Sequence, residues 1–265
     1  MGIFGHSHTW RAVALACGLT CLAPATGFAA GTPDTSVATA PAGGSGEPFG
    51  LLTSALSFGS LREKWLGVEH KLDDERVQLA LCDGDRERCV SPAALRLLAI
   101  VDNARARDGR ARLGEVNRAI NLAIRPMSDM AQWGEADVWS SPLVTFATGA
   151  GDCEDYAIAK FVALRLAGVS ADDLRIVIVR DAIRGEDHAV AAARLDGHWL
   201  TLDNRRMAMV EDADVRNERP LFVIDQSSIM QYTGARLMAN LPDRDAAPPL
   251  ALTATVRPGL ISPTN

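Results

Sequence analysis

The chain has 265 residues, is 48% hydrophobic and carries a formal net charge of -6. That is enough apolar material to bury a full core, which excludes a disordered chain. The acidic balance, with no dense cluster of Lys and Arg, excludes nucleic acid as a partner. The longest apolar run, 12–22, is too short to cross a bilayer, which argues against an integral membrane protein.

In chain order, residues 1–29 read as a secretory signal: Arg11, the apolar run, then small residues at Gly27, Ala29 and Ala30 for cleavage. Residues 30–48, rich in Gly, Pro, Thr, Ser and Ala without periodicity, read as a flexible leader with no fold. Apolar residues return over 49–66 in a pattern that reads only coarsely. Cys82 and Cys89 flank a polar loop, and in an oxidising compartment they could close a short disulfide. Ser91-Pro92 starts a helix, Ser capping and Pro at the first helical position. Leu95, Leu97, Leu98 and Val101 give it an apolar face to about Arg107, and Asp108-Gly109 ends it. A second helix runs from about Leu113 to Ile124 on Val116, Ile120 and Ile124, and Pro126 stops it. Residues 127–149 form a long connection holding Trp133 and Trp139. Each Trp suits packing better than anchoring, but Trp139 is kept as a partner-binding candidate because Glu135, Asp137, Ser140 and Ser141 look solvated.

The stretch that carries chemistry is Gly151-Asp152-Cys153-Glu154-Asp155-Tyr156. Asp152 is expected to cap a helix with its carboxylate, and Gly149 and Gly151 allow a sharp turn into it. Cys153 then lies in the first turn, where free amides and the helix dipole stabilise a thiolate. The competing reading is a buried, inert cysteine; the glycines and acids around it argue against that. The helix runs to about Ala167, is stopped by Gly168 and is apolar on most sides, so it is expected at the centre of the domain. A short buried strand follows at 175–180. Two more, 188–195 and 198–203, flank Asp196-Gly197, the strongest short hairpin signal in the chain. Another strand is expected at 221–224, and beyond Asn240 the Pro- and Ala-rich tail, 241–265, is expected to be poorly ordered. The folded domain is therefore bounded at 49–240.

A cysteine nucleophile needs a base and a group to orient it. His70 sits in a charged stretch and reads as a surface residue. A two-residue turn at Asp196-Gly197 pairs 195 with 198 and carries the register on to 190 with 203, making His188 and Asp203 diagonal neighbours. His198 falls on the other face. The register therefore selects His188 as base and Asp203 as the orienting carboxylate.

The segments 151–160, Asp187-His188-Ala189-Val190 and Leu202-Asp203-Asn204 resemble the bacterial transglutaminase-like cysteine proteinases, the group that includes periplasmic adhesin proteases. The likeness covers about 65–232. It implies an α+β, papain-like or transglutaminase-like fold, with N-terminal helices and the Cys helix packed on an antiparallel sheet, and the triad Cys153, His188, Asp203. It further implies a periplasmic enzyme that cuts the N-terminal region of a large adhesin to release cells from a biofilm. A LapD-like inner-membrane receptor would sequester it when cyclic di-GMP is abundant, with Trp139 docking there. Calcium is implied as cofactor, on Asp152 and Glu154 with Asp155 adjacent. Electrostatics agree: three acids around a thiol oppose its ionisation, a divalent cation reverses that sign, and carboxylates without His or paired Cys suit calcium better than zinc. The acids could instead only cap the helix. Two other functions stay open at this point: an amidase or acyltransferase acting on another substrate such as peptidoglycan peptides, and a non-catalytic binding module.

Overall fold

The computed structural model describes residues 46–233; the expected signal segment 1–29, the leader as far as 45, the end of the expected domain at 234–240 and the tail 241–265 lie outside the described residues. After a short strand β1 (Thr53–Ala55) comes α1 (Ser60–Gly84), a helix that periodicity did not announce. Its buried residues Trp65, Val68, Leu79 and Cys82 share the helix with exposed Leu66, Val77 and Leu81, so no clean apolar stripe stands out. Cys82, near its end, is bonded to Cys89. In α2 (Pro92–Arg105) the Ser91 hydroxyl accepts from the Ala94 amide at 3.2 Å, the cap that the Ser-Pro pair predicts. Asp108-Gly109 ends α2 less than it opens α3 (Gly109–Ala123), which starts a turn earlier than expected because Asp108 takes the N-cap position.

The connection at 127–149 is not structureless. A parallel pair, β2 (Arg125–Pro126) and β3 (Ala150–Gly151), brackets two short helices, α4 (Asp129–Trp133) and α5 (Pro142–Thr148). From β3 the chain turns directly into α6 (Cys153–Leu166), which is buried on nearly all sides, including Tyr156, Ile158, Phe161 and Leu164. Gly168, at φ +92, ends it as predicted.

The strands β4 (Leu174–Asp181), β5 (Glu186–Leu195), β6 (His198–Leu202), β7 (Val210–Glu211), β8 (Glu218–Ile224) and β9 (Ile229–Tyr232) join β1 in a seven-stranded sheet. Its order is β1-β9-β8-β4-β5-β6-β7, and every neighbouring pair is antiparallel. The α+β class read from the sequence is therefore the observed one. The helices bury one face of the sheet through Ile176, Ala189, Ala191 and Leu202. The other face, with Val177, Val179, Val190 and Trp199, is covered by Phe49 and its neighbours. This corrects the leader boundary: residues 46–48 belong to the fold. The Gly46 carbonyl accepts from the Trp199 indole at 3.1 Å, Glu47 pairs with Arg175 at 2.6 Å, and the Pro48 carbonyl accepts from the Tyr232 hydroxyl at 2.9 Å. Low-complexity composition concealed these few residues because their partners lie far along the chain. Among the described residues no helix is long and apolar enough to cross a membrane.

Candidate active site

The site lies where the start of α6 meets the start of β5. Gly149, at φ +65, ends α5 in the left-handed region, which an L side chain enters only with strain. Gly151 serves space rather than freedom: a Cβ there would lie 2.5 Å from Asp155 Oδ2 and 2.7 Å from Asp155 Cβ. Asp152 occupies the N-cap position, but its carboxylate makes no capping bond, which corrects the role expected of it. Asp155, in the first turn, is the acid that serves the backbone. It accepts from the Ser140 amide at 2.8 Å and reaches back toward the Asp152 amide, half of a capping box.

Released from capping, Asp152 turns toward Glu154 and toward Asp129 at the start of α4. Each of the three offers an oxygen, all within 4.8 Å of one another. Asp155 lies beside this group and not among its three members. Asp129 was absent from the sequence candidates because it stands far from the motif in the chain; the Ser128-Asp129 helix start inside the long connection was the available signal. Among the described residues, the buried oxygens Asp129 Oδ1, Asp152 Oδ1 and Asp155 Oδ2 lack hydrogen-bond partners. Burial, and then the charge of Glu154, lifts the Asp152 pKa to about 8; burial lifts Asp155 to about 7, and Glu154 moves up for the same first reason. Crowded carboxylates with orphaned oxygens and no His or Cys among the three are the donor set of a hard cation, so the residues fit calcium.

Cys153 is free and half-buried. Its thiol donates to Glu154 Oε2 at 3.1 Å, and the Ala189 amide faces the sulfur. Burial, followed by the Glu154 charge, pushes the thiol pKa well up, so with the acids uncompensated the helix terminus does not prevail.

The hairpin forms in the register that the Asp-Gly turn dictates. Asp196 at φ 52 and Gly197 at φ 84 are both left-handed, as a type I′ turn demands, and the ladder runs from Leu195↔His198 to Ala191↔Leu202. His188, 1% exposed, places Nε2 at 2.9 Å from Asp203 Oδ1. That oxygen also accepts from the Arg205 amide at 2.9 Å. Burial works to raise the Asp203 pKa, but the His188 hydrogen bond and charge, the Arg205 amide and Arg206 outweigh it and hold it below the ordinary value. The buried His188 Nδ1 has no partner among the described residues. His198 is exposed and 3.6 Å from Glu211, away from this pair, and His70 is exposed on α1.

Cys153, Glu154, Asp129, Asp152 and His188 all line one cavity of about 770 Å³, together with Trp139. Ser140 and Ser141 are buried, against the expectation that they are solvated, and Trp139 itself is only 8% exposed. Carboxylates hold this segment through its donors. Asp129 accepts from the Val138 amide, Asp155 from the Ser140 amide, and Glu75 of α1 from the Ser141 hydroxyl and the Leu143 amide. The Trp139 indole donates to Asp137 Oδ1 at 2.9 Å.

A half-buried cysteine at the head of a central helix thus lines the same cavity as a buried His–Asp pair carried on an antiparallel sheet, in an α+β fold. The model of the bacterial transglutaminase-like cysteine proteinases matches residues 79–228, and the chain belongs to that family. Among solved structures, it is similar to Legionella pneumophila LapG at 22% identity, over 54% of this chain and 79% of that one, with a TM-score of 0.48. The calcium-bound form of LapG is 23% identical over 58% and 86%, TM-score 0.48, and a transglutaminase is 14% identical over 49% and 37%, TM-score 0.35. None of the curated proteins compared with the chain matches it.

Proposed function

We propose that the chain is a calcium-dependent cysteine endopeptidase in which Cys153 is the nucleophile, His188 the base and Asp203 the orienting group. The observation that carries this reading is the His188–Asp203 hydrogen bond, which leaves Nδ1 of a buried imidazole unpartnered in the cavity that Cys153 lines. The sulfur attacks a peptide carbonyl carbon while its proton passes to His188 Nδ1. His188 then protonates the leaving amine, and water, deprotonated by the same imidazole, hydrolyses the thioester. Asp203 stabilises the imidazolium through Nε2–H. The Cys153 amide is the candidate donor to the oxyanion. Asp129, Asp152 and Glu154 would hold the calcium ion, which when bound supplies the positive charge that offsets their own beside the thiol.

The finer reading is that the substrate is the N-terminal region of a large cell-surface adhesin, cut in the periplasm after export to release cells from a biofilm. A LapD-like cyclic di-GMP receptor would restrain the enzyme by docking at the segment that carries Trp139. The test is incubation of the purified protein with an adhesin N-terminal fragment, with calcium and with EGTA. A discrete cleavage in calcium alone is expected; an intact fragment alongside cleaved peptidoglycan peptides would replace the substrate. For the receptor, Trp139→Glu should weaken its capture, with the melting curve and cleavage measured alongside because Trp139 is buried and lines the cavity, and unchanged capture by the folded variant removes the docking role.

A further inference from the structure

Asp203 is gripped from behind as well as from the front. Lys160 of α6 is 0% exposed, and its Nζ donates to the Leu202 carbonyl at 3.0 Å. On the other side, Asn121 of α3 donates through Nδ2 to the carbonyls of Asp203 and Arg206, each at 3.0 Å. Asn117, one turn earlier, donates to the carbonyls of Arg206 and Met207, each at 3.1 Å. The two carbonyls that bracket the Asp203 Cα are thus held by side chains from two different helices. A buried ammonium is costly to desolvate, and a methionine would fill similar space without that cost. Burial lowers the Lys160 pKa to about 7, while the Asp203 charge pulls it the other way, a sign that the cation feels that carboxylate.

We propose that Lys160 and Asn121 are positioning residues that clamp the peptide groups on either side of Asp203, fixing its carboxylate on His188 Nε2 so that Nδ1 stays turned to the thiol. The inference rests on reading His188–Asp203 as the catalytic pair, but its test does not depend on proteolysis. An imidazole N–H donating to a buried carboxylate gives a downfield proton line in NMR of the whole protein, assigned here by its loss in His188→Gln. Lys160→Met and Asn121→Ala, each shown to be folded by circular dichroism, are expected to broaden or lose that line. On a peptide that the wild type cleaves, kcat should fall roughly 10²-fold with KM little changed, the pattern of a misplaced catalytic group. Lys160→Arg, which keeps a cation and donors, should restore part of both. A sharp line at the wild-type position in both variants, or no such line in the wild type, overturns the clamp. If Lys160→Met does not fold, Asn121→Ala, at a half-buried position, decides alone. A protein that cleaves nothing yet loses the line in the variants sinks the peptidase reading and leaves the clamp standing.

Discussion

The two halves of the candidate site are finished to different degrees. On the hairpin β5–β6, Asp203 is served by His188, by the Arg205 amide and by Arg206, and its pKa is held down despite burial. Around the head of α6 the acids Asp129, Asp152 and Glu154 crowd one another, Asp129 and Asp152 keep buried oxygens without partners among the described residues, and Asp152 and Glu154 have raised pKa values. The difference teaches where each half gets its compensating charge. The hairpin finds it within the chain, whereas the acid cluster, on the reading proposed, draws it from a bound cation.

The largest expected effects separate the halves directly. Cys153→Ala and His188→Ala should each lower kcat by on the order of 10⁴-fold or more while the melting curve is kept, because nucleophile and base act as a unit. His198→Ala, on an exposed side chain, should leave kcat roughly unchanged. Steady-state kinetics on one cleaved peptide decides this; an active His188→Ala beside an inactive His198→Ala would break the assignment. Next comes the acid cluster. Titration calorimetry should show calcium uptake, and at 100 times the Kd the ion should add about 2.7 kcal/mol to stability. Asp129→Asn should lose most of both responses although it lies outside the cysteine motif. A wild-type calcium response in Asp129→Asn would return Asp129 to a purely structural role, that of holding the Val138 amide.

The same contrast explains what was legible in the sequence. Both partners in the hairpin register are set by a local signal, so Asp196-Gly197 sufficed to bring His188 to Asp203. Ser91-Pro92, the apolar run of α6 and Gly168 were likewise local. Missing were features whose cause lies far along the chain: Asp129 in the acid cluster, Glu75 under Ser141, residues 46–48 against Arg175 and Trp199, and all of α1, whose charged surface hides its narrow buried stripe. Asp152 was misread in one respect. It stands at the N-cap, yet its carboxylate makes no capping bond and groups with Glu154 and Asp129, while Asp155 serves the backbone instead.

A smaller effect tests whether the tidy half carries a hidden cost. Lys160 has a folded-state pKa of about 7 against an ordinary 10.5. Between those values the unfolded chain binds more protons than the folded one, so this group makes stability rise with pH through that window, and below about pH 7 its full penalty is present. Lys160→Met should therefore be more stable than the wild type by a few kcal/mol at pH 6, with the gap closing as pH approaches 10. Urea midpoints of the two proteins across that range measure it. A gap independent of pH would mean that packing, not charge, sets the cost, while a less stable variant would show that the bond to the Leu202 carbonyl outweighs desolvation.

The smallest effect concerns the turn that made the hairpin readable. Gly197 has φ 84, and an alanine there is strained by roughly 1–2 kcal/mol, enough to lower the melting temperature by a few degrees. The register does not rest on the turn alone. Five consecutive pairs from Leu195↔His198 to Ala191↔Leu202 hold it, and a one-residue slip would turn buried Ala191 and Leu202 to the wrong face. Gly197→Ala should therefore lose stability and keep kcat close to that of the wild type. A collapse of kcat in a folded Gly197→Ala protein would mean that the turn itself sets the His188–Asp203 distance, and that this half of the site is less robust than its completed hydrogen bonds imply.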